Sequence, residues 1–173
     1  MPTTYQPCTP DVESMVQGLI KQYYPDLEAA DVSLCLLFAV NGESPALMQN
    51  GYPALAMVRL NNLRDRIAGL KDATILIDQS NWVEWSDEER LAVLDHELYH
   101  LEVKRTKYGQ IEHDDANRPK LKLRKHDFQI GGFHGVVRRH GATAFEAQAV
   151  ARLVTSWRQN EFAWSDEAEM QPA

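Results

Sequence analysis

Residues 86–109 read SDEERLAVLDHELYHLEVKRTKYG. Ser86 stands where an N-cap belongs, with Glu89 three residues on to complete a capping box. Asp87 and Glu88 suit the positive end of the helix dipole. Leu91, Leu94, Leu98 and Leu101 recur at three- and four-residue steps and mark a core stripe. Lys104, Arg105 and Lys107 suit a helix C-terminus, and Gly109 is placed to stop it. The pattern predicts one helix over about residues 87–107. On that helix His96 and His100, four apart, share one face about one turn from each other.

Two imidazoles so placed can grip one metal ion, and Zn²⁺ is the usual occupant of such a pair. Glu97 lies roughly 100° round the helix from His96, where a carboxylate reaches a metal-bound water. The motif H-E-x-x-H thus supplies two ligands and a general base, and lacks the third ligand that a catalytic site needs. The rival reading is an exposed helix that carries two His and a Glu by chance; the agreement of cap, stripe and stop weighs against it.

Four other histidines are available: His113, His126, His134 and His140. His126 is the first choice. It follows the motif by a connection long enough for the chain to reverse, and it opens a predicted helix that can lie over the motif helix. Asp127 beside it can serve as its hydrogen-bond acceptor or as the ligand instead. Glu146 is the next choice, because the small neighbours in Phe145-Glu146-Ala147-Gln148-Ala149 let a helix pack close.

The chain has 173 residues, 44% hydrophobic and 25% charged, which is the make-up of an ordinary globular domain. One domain over residues 1–173 is expected, with an acidic tail from Glu161 that frays. Cys8 and Cys35 are too few for a disulfide framework. Cys35 lies in an apolar run and reads as a buried thiol, and neither is placed to be a ligand. The N-terminus lacks a basic and apolar leader, and no apolar run approaches a membrane span, so a cytoplasmic location without membrane contact is expected. Residues 101–140 hold ten Lys or Arg against five Asp or Glu, a net of +5 in a chain of net −7, which leaves −12 elsewhere. Such a segment can steer an acidic or phosphate-bearing partner; a solvated basic face is the plainer reading.

Around the motif the chain reads as an α+β fold. Residues 10–24 form a helix capped by Thr9 or Asp11, with Val12, Met15, Val16, Leu19 and Ile20 on one face. DVSLCLLFAV (31–40) reads as a buried central strand, ALAMVRLN (54–61) as a weaker one and ATILID (73–78) as a short β-branched one. Residues 110–124 read as a hairpin or flap with an apolar and a basic face. A helix from about His126 to Gly141 and a last helix over 142–159, striped by Phe145, Ala149, Leu153 and Trp157, complete the reading.

ATILIDQSNW, ERLAVLDHELYHLEV, LKLRKHDF and GGFHGVVRRHG, in that order over residues 70–141, resemble the phage-type metallopeptidases, small zincin-like proteins of phages and prophages. The segment is also similar, more distantly, to the SprT-like minimal zincins. The H-E-x-x-H core is common to many zincins; K-H-D followed by an aromatic and V-V-x-R-x-G discriminates better. The resemblance implies a small mixed sheet packed on the motif helix, zinc held by His96, His100 and a residue matching His126, and Glu97 as catalytic base. It implies a zinc peptidase acting on a peptide or protein. Two other readings stand beside it: a non-catalytic, metal-stabilised binding module, and an SprT-like protease acting near nucleic acid. Against the last, no zinc ribbon or other nucleic-acid module is present and the net charge is negative.

Overall fold

The computed structural model describes residues 2–42, 45–126, 134–143 and 147–155, except for the side chains of 134–136. They fall into two compact units, Met1–Lys125 and His126–Ala173. The architecture is mixed α+β, as the sequence predicts.

The first unit runs β1 (Thr4–Pro7), α1 (Pro10–Tyr23), α2 (Pro25–Ala29), β2 (Leu34–Val40), β3 (Met48–Gln49), β4 (Tyr52–Pro53), β5 (Ala56–Leu60), α3 (Leu63–Ile67), β6 (Ala73–Asp78), α4 (Gln79–Trp82), α5 (Asp87–Tyr99), β7 (Leu101–Val103) and β8 (Leu121–Leu123). Its main sheet has the order β1-β2-β6-β5. β2 and β6 are parallel, while β1 and β5 flank them antiparallel. The two inner strands are the two most apolar runs in the sequence, since a central strand is covered on both faces. On β6, Ala73, Ile75 and Ile77 point into the main core with Leu36, Phe38, Ala56 and Val58. Val12, Val16, Leu19 and Ile20 of α1 and Leu94 and Leu98 of α5 close over that face. The opposite face is thinner: Ala39 and Leu76 lie under Leu47, with Leu37, Ala46, Ala54 and Met57 packed against them.

The motif helix departs from expectation at its end. It starts where the capping box predicts: Ser86 Oγ accepts the Glu89 amide at 3.3 Å and the Glu89 carboxylate accepts the Ser86 amide at 2.8 Å. It stops at Tyr99, with His100 as its C-cap, not near residue 107. Leu101-Glu102-Val103 alternates in, out, in, and pairs antiparallel with Leu121–Leu123. Leu101 fits a helical stripe and a strand alternation equally well, which is why local spacing carries the helix too far. Gly109, with φ +80°, turns the flap, its amide bonded to the Thr106 carbonyl, and does not stop a helix. Leu91, expected in the core, is exposed.

The flap is more closed than a simple hairpin. Lys104 N donates to Lys120 O, Lys120 N to Glu112 O, and Glu112 N to Lys104 O, each at 2.8–2.9 Å. Three segments are thereby joined in a ring. Leu121 is buried, but Leu123 is exposed, so only part of the expected apolar face packs. At the far turn, Arg118 forks onto Asp72 through Nε at 3.1 Å and Nη2 at 2.6 Å. Ser33 gives the same carboxylate its amide and hydroxyl hydrogens, both at 2.8 Å. Cys8 and Cys35 are both partly buried, so Cys35 is less enclosed than its apolar surroundings suggest. Burial, with Cys35 and Glu13 nearby, pushes the Cys8 thiol up to about 12.

In the second unit α6 (His134–His140) is followed by a 3₁₀ turn at Gly141–Thr143, and residues 147–155 are helical. The predicted helix at 126–141 is thus present over its later half, while His126 is not helical. Phe145, Trp157 and the acidic tail lie outside the described residues. Among the described residues no helix is long and apolar enough to cross a membrane.

Ile75 is fully buried between the sheet and both main helices. Ile75→Ala is expected to lower stability by about 2–5 kcal/mol, through lost transfer energy and the cavity left behind; the urea midpoint measures it. For Asp72, burial works to raise the pKa, but the Arg118 and Ser33 hydrogen bonds outweigh it and hold the carboxyl below the usual range. Its stabilising contribution is therefore present at neutral pH and lost on acidification below about pH 4. Asp72→Asn is expected to start about 3 kcal/mol less stable at pH 7 and to lose less than wild type between pH 5 and pH 3 in urea titrations.

Candidate metal centre

The last turn of α5 presents His96 and His100 with ring centroids 5.0 Å apart and planes nearly perpendicular. Although the helix ends at Tyr99, His100 keeps right-handed helical angles, φ −68° and ψ −23°. The one-turn spacing of the two rings therefore survives the early stop. His96 is exposed, His100 half-buried and Glu97 buried.

His100 is held from both sides by one residue of the flap. Arg124 N donates to the His100 carbonyl at 2.7 Å, and the Arg124 carbonyl lies 2.8 Å from His100 Nδ1. A carbonyl only accepts, so in the neutral ring Nδ1 carries the hydrogen and Nε2 carries the lone pair. This is the tautomer in which Nε2 can ligate a metal.

His126 follows Arg124 by two residues. One ligating nitrogen from each of His96, His100 and His126 lies within 4.8 Å of the others. Among the described residues this is the one group of three or more His, Cys, Asp or Glu able to hold a metal. The return strand of the flap leads to His126, where a helix was expected to carry it. His113 sits in the flap, bridged to Pro119, and His140 ends α6; neither joins the group. Asp127 and Glu146, the alternative third ligands, lie outside the described residues, as does the His134 side chain.

Glu97 points towards β5, the end strand of the main sheet. Burial raises its pKa, and His100 and a hydrogen bond from the Val58 amide oppose the rise without cancelling it. Asn61 N bonds Asp72 O on the β6 side of β5. By strand alternation the amides of residues 56, 58 and 60 face outward, so Glu97 meets the outer edge of the strand. The helix end is fixed further by Tyr24, whose hydroxyl donates to the Asp95 carbonyl at 2.9 Å and to its carboxylate at 2.5 Å. Burial and that carboxylate push the Tyr24 hydroxyl well above its usual range. Tyr99 stacks under the Arg124 guanidinium, 4.4 Å from the ring centroid.

The backbone of Arg124, the Val58 amide and the Tyr24 hydroxyl are not recognisable from residue type. Two of the three are main-chain groups, which every residue carries. The one local signal was the alternation in Leu101-Glu102-Val103, which announces a strand and hence a partner strand ending near residue 124.

A family model described as "Putative phage metallopeptidase" matches residues 4–158. The chain belongs to that family, and its mixed α+β architecture is the one a zincin-like fold requires. No curated protein and no solved structure matches it. The family implies a metal, and the three histidines form a group able to bind one.

The hydrogen bond to Arg124 predicts the Nδ1–H tautomer for His100 in the metal-free protein. Long-range ¹H–¹⁵N correlation spectra at pH 8 should show Nδ1 protonated and Nε2 unprotonated. The opposite pattern removes the orienting role of the Arg124 carbonyl.

Proposed function

We propose that this chain is a zinc-dependent peptidase in which His96, His100 and His126 hold the metal and Glu97 is the general base. The observation that carries this reading is the approach of three imidazole nitrogens on a helix end that also presents a buried glutamate. Nitrogens sharing one zinc at about 2.1 Å stand about 3.4 Å apart in a tetrahedral site, a distance small side-chain rotations reach from the present arrangement. An all-imidazole set suits zinc, and the hydrogen bond on His100 Nδ1 directs Nε2 to it.

The metal, when bound, supplies a Lewis acid and lowers the pKa of the attacking water towards neutrality. The protein's own groups do the rest. Glu97 takes a proton on its carboxylate, and its burial makes it a stronger base than an exposed glutamate. The same carboxyl then gives the proton to the departing amine nitrogen. The outward amides of β5 other than Val58's, which Glu97 holds, offer an extended peptide a strand edge to pair with, and main-chain pairing of that kind binds substrates with little regard for their side chains.

His96→Ala should lose stoichiometric zinc, read by metal analysis after dialysis; zinc retained at wild-type affinity sinks the reading at its base. Glu97→Gln should keep the metal and lose peptide hydrolysis by about 10²-fold or more, measured on an unfolded protein substrate. Hydrolysis at the wild-type rate in that variant excludes Glu97 as base.

A further inference from the structure

The flap of residues 101–124 is fastened at two places far apart along the chain. At its root, Arg124 is bonded twice to His100. At its far turn, Asp114 Oδ1 accepts the amides of Ala116 and Arg118 at 2.9 and 3.0 Å, which sets the turn's own shape. Two ion pairs of opposite sense then lock that turn to the body. Arg66 of α3 reaches Asp114 Oδ2 at 2.8 Å, and Arg118 of the turn forks onto buried Asp72. Arg118 also donates to the Asp31 carbonyl at 2.6 Å, and Arg66 to the Pro119 carbonyl at 3.2 Å.

Burying these charges is expensive, and apolar residues of similar volume often stabilise as well or better. What the forked pair adds is a fixed direction and distance. The flap has need of that. β7 and β8 are three residues each, and a two-stranded ribbon that short is marginal by itself. The hydrogen-bond ring through residues 104, 112 and 120 joins its three segments, so a shift of the far turn carries into β8. From Arg118 to Arg124 is six residues, about 20 Å of extended chain.

We infer that Arg118 and Asp72 form a positioning clasp for the metal centre: by holding the flap's far turn, they hold the Arg124 carbonyl against His100. Arg118 touches no reacting atom; it acts through β8 on the orientation and tautomer of a ligand. The inference rests on the reading that His96 and His100 bind zinc.

The test uses the full chain, with Zn²⁺ affinity from chelator competition and the Co²⁺ ligand-field spectrum as readouts. Arg118→Gln should weaken zinc binding about tenfold or more, in the range seen when a ligand's hydrogen-bond partner is lost, and alter the Co²⁺ spectrum. Arg118→Lys, which keeps the charge without the fork, should recover part of the loss. Lys122→Gln, which breaks the exposed pair with Glu102 in the same flap, should stay within twofold of wild type. A folded Arg118→Gln protein with wild-type affinity and an unchanged Co²⁺ spectrum overturns the clasp while leaving the zinc reading intact. A wild-type chain that binds no zinc overturns both. Should Arg118→Gln fail to fold, hydrogen exchange on wild type decides. By linkage, zinc must slow exchange of the Ala116 and Arg118 amides as well as that of Arg124. Protection confined to the root of the flap refutes the clasp.

Discussion

The candidate metal centre depends on the pair of hydrogen bonds between His100 and Arg124. The carbonyls of a helix's last turn have no partner within the helix, and His100 stands where α5 gives way to β7. Arg124 satisfies its main-chain oxygen and, with its own carbonyl, claims Nδ1 of the ring. One residue of the flap thus closes the helix end, starts the antiparallel pairing of β7 with β8, and decides which nitrogen of His100 carries the lone pair. Two positions later the same chain reaches His126. The helix and the flap are therefore parts of one device, and the early end of the helix is what allows them to meet.

Glu97 is governed by a different constraint. It sits on the inward side of the same helix turn, at 5% exposure, against the outer edge of β5. A carboxylate there loses hydration and keeps one amide and a nearby imidazole as partial compensation. That balance raises its pKa, as suits the general base proposed for it. The sheet supplies the setting. β5, like β1, has a sheet neighbour on one side only, and its outer edge is the one that meets Glu97.

The basic segment after the motif has a partly structural explanation. Arg118 is paired with Asp72, Arg105 with Asp26 at 2.8 Å, and Lys122 with Glu102 at 2.8 Å. The acidic remainder of the chain supplies Asp72 and Asp26, so part of the charge asymmetry between segments is the attraction that seats the flap. Arg124 stacks on Tyr99 and is spent on the same task. What the composition presents as a surface for partners is, at Arg118, an internal fastening, while the pairs of Arg105 and Lys122 lie exposed.

The amino-acid sequence by itself determined the start of the motif helix, the inner strands β2 and β6, the mixed α+β class and the one-turn spacing of His96 and His100. Each rests on local chemistry: a serine and glutamate that cap each other, β-branched residues in a short run, a period of 3.6. The tertiary structure alone decided where the helix stops, that residues 101–103 form a strand, and that His126 is reached from a hairpin and not from a helix. The reason is that Leu101 satisfies two periods at once, and only a partner strand some twenty residues away chooses between them. It also decided the environment of Glu97 and the tautomer of His100, because the groups responsible, the Val58 amide and the Arg124 carbonyl, belong to the backbone and leave no mark in the residue types.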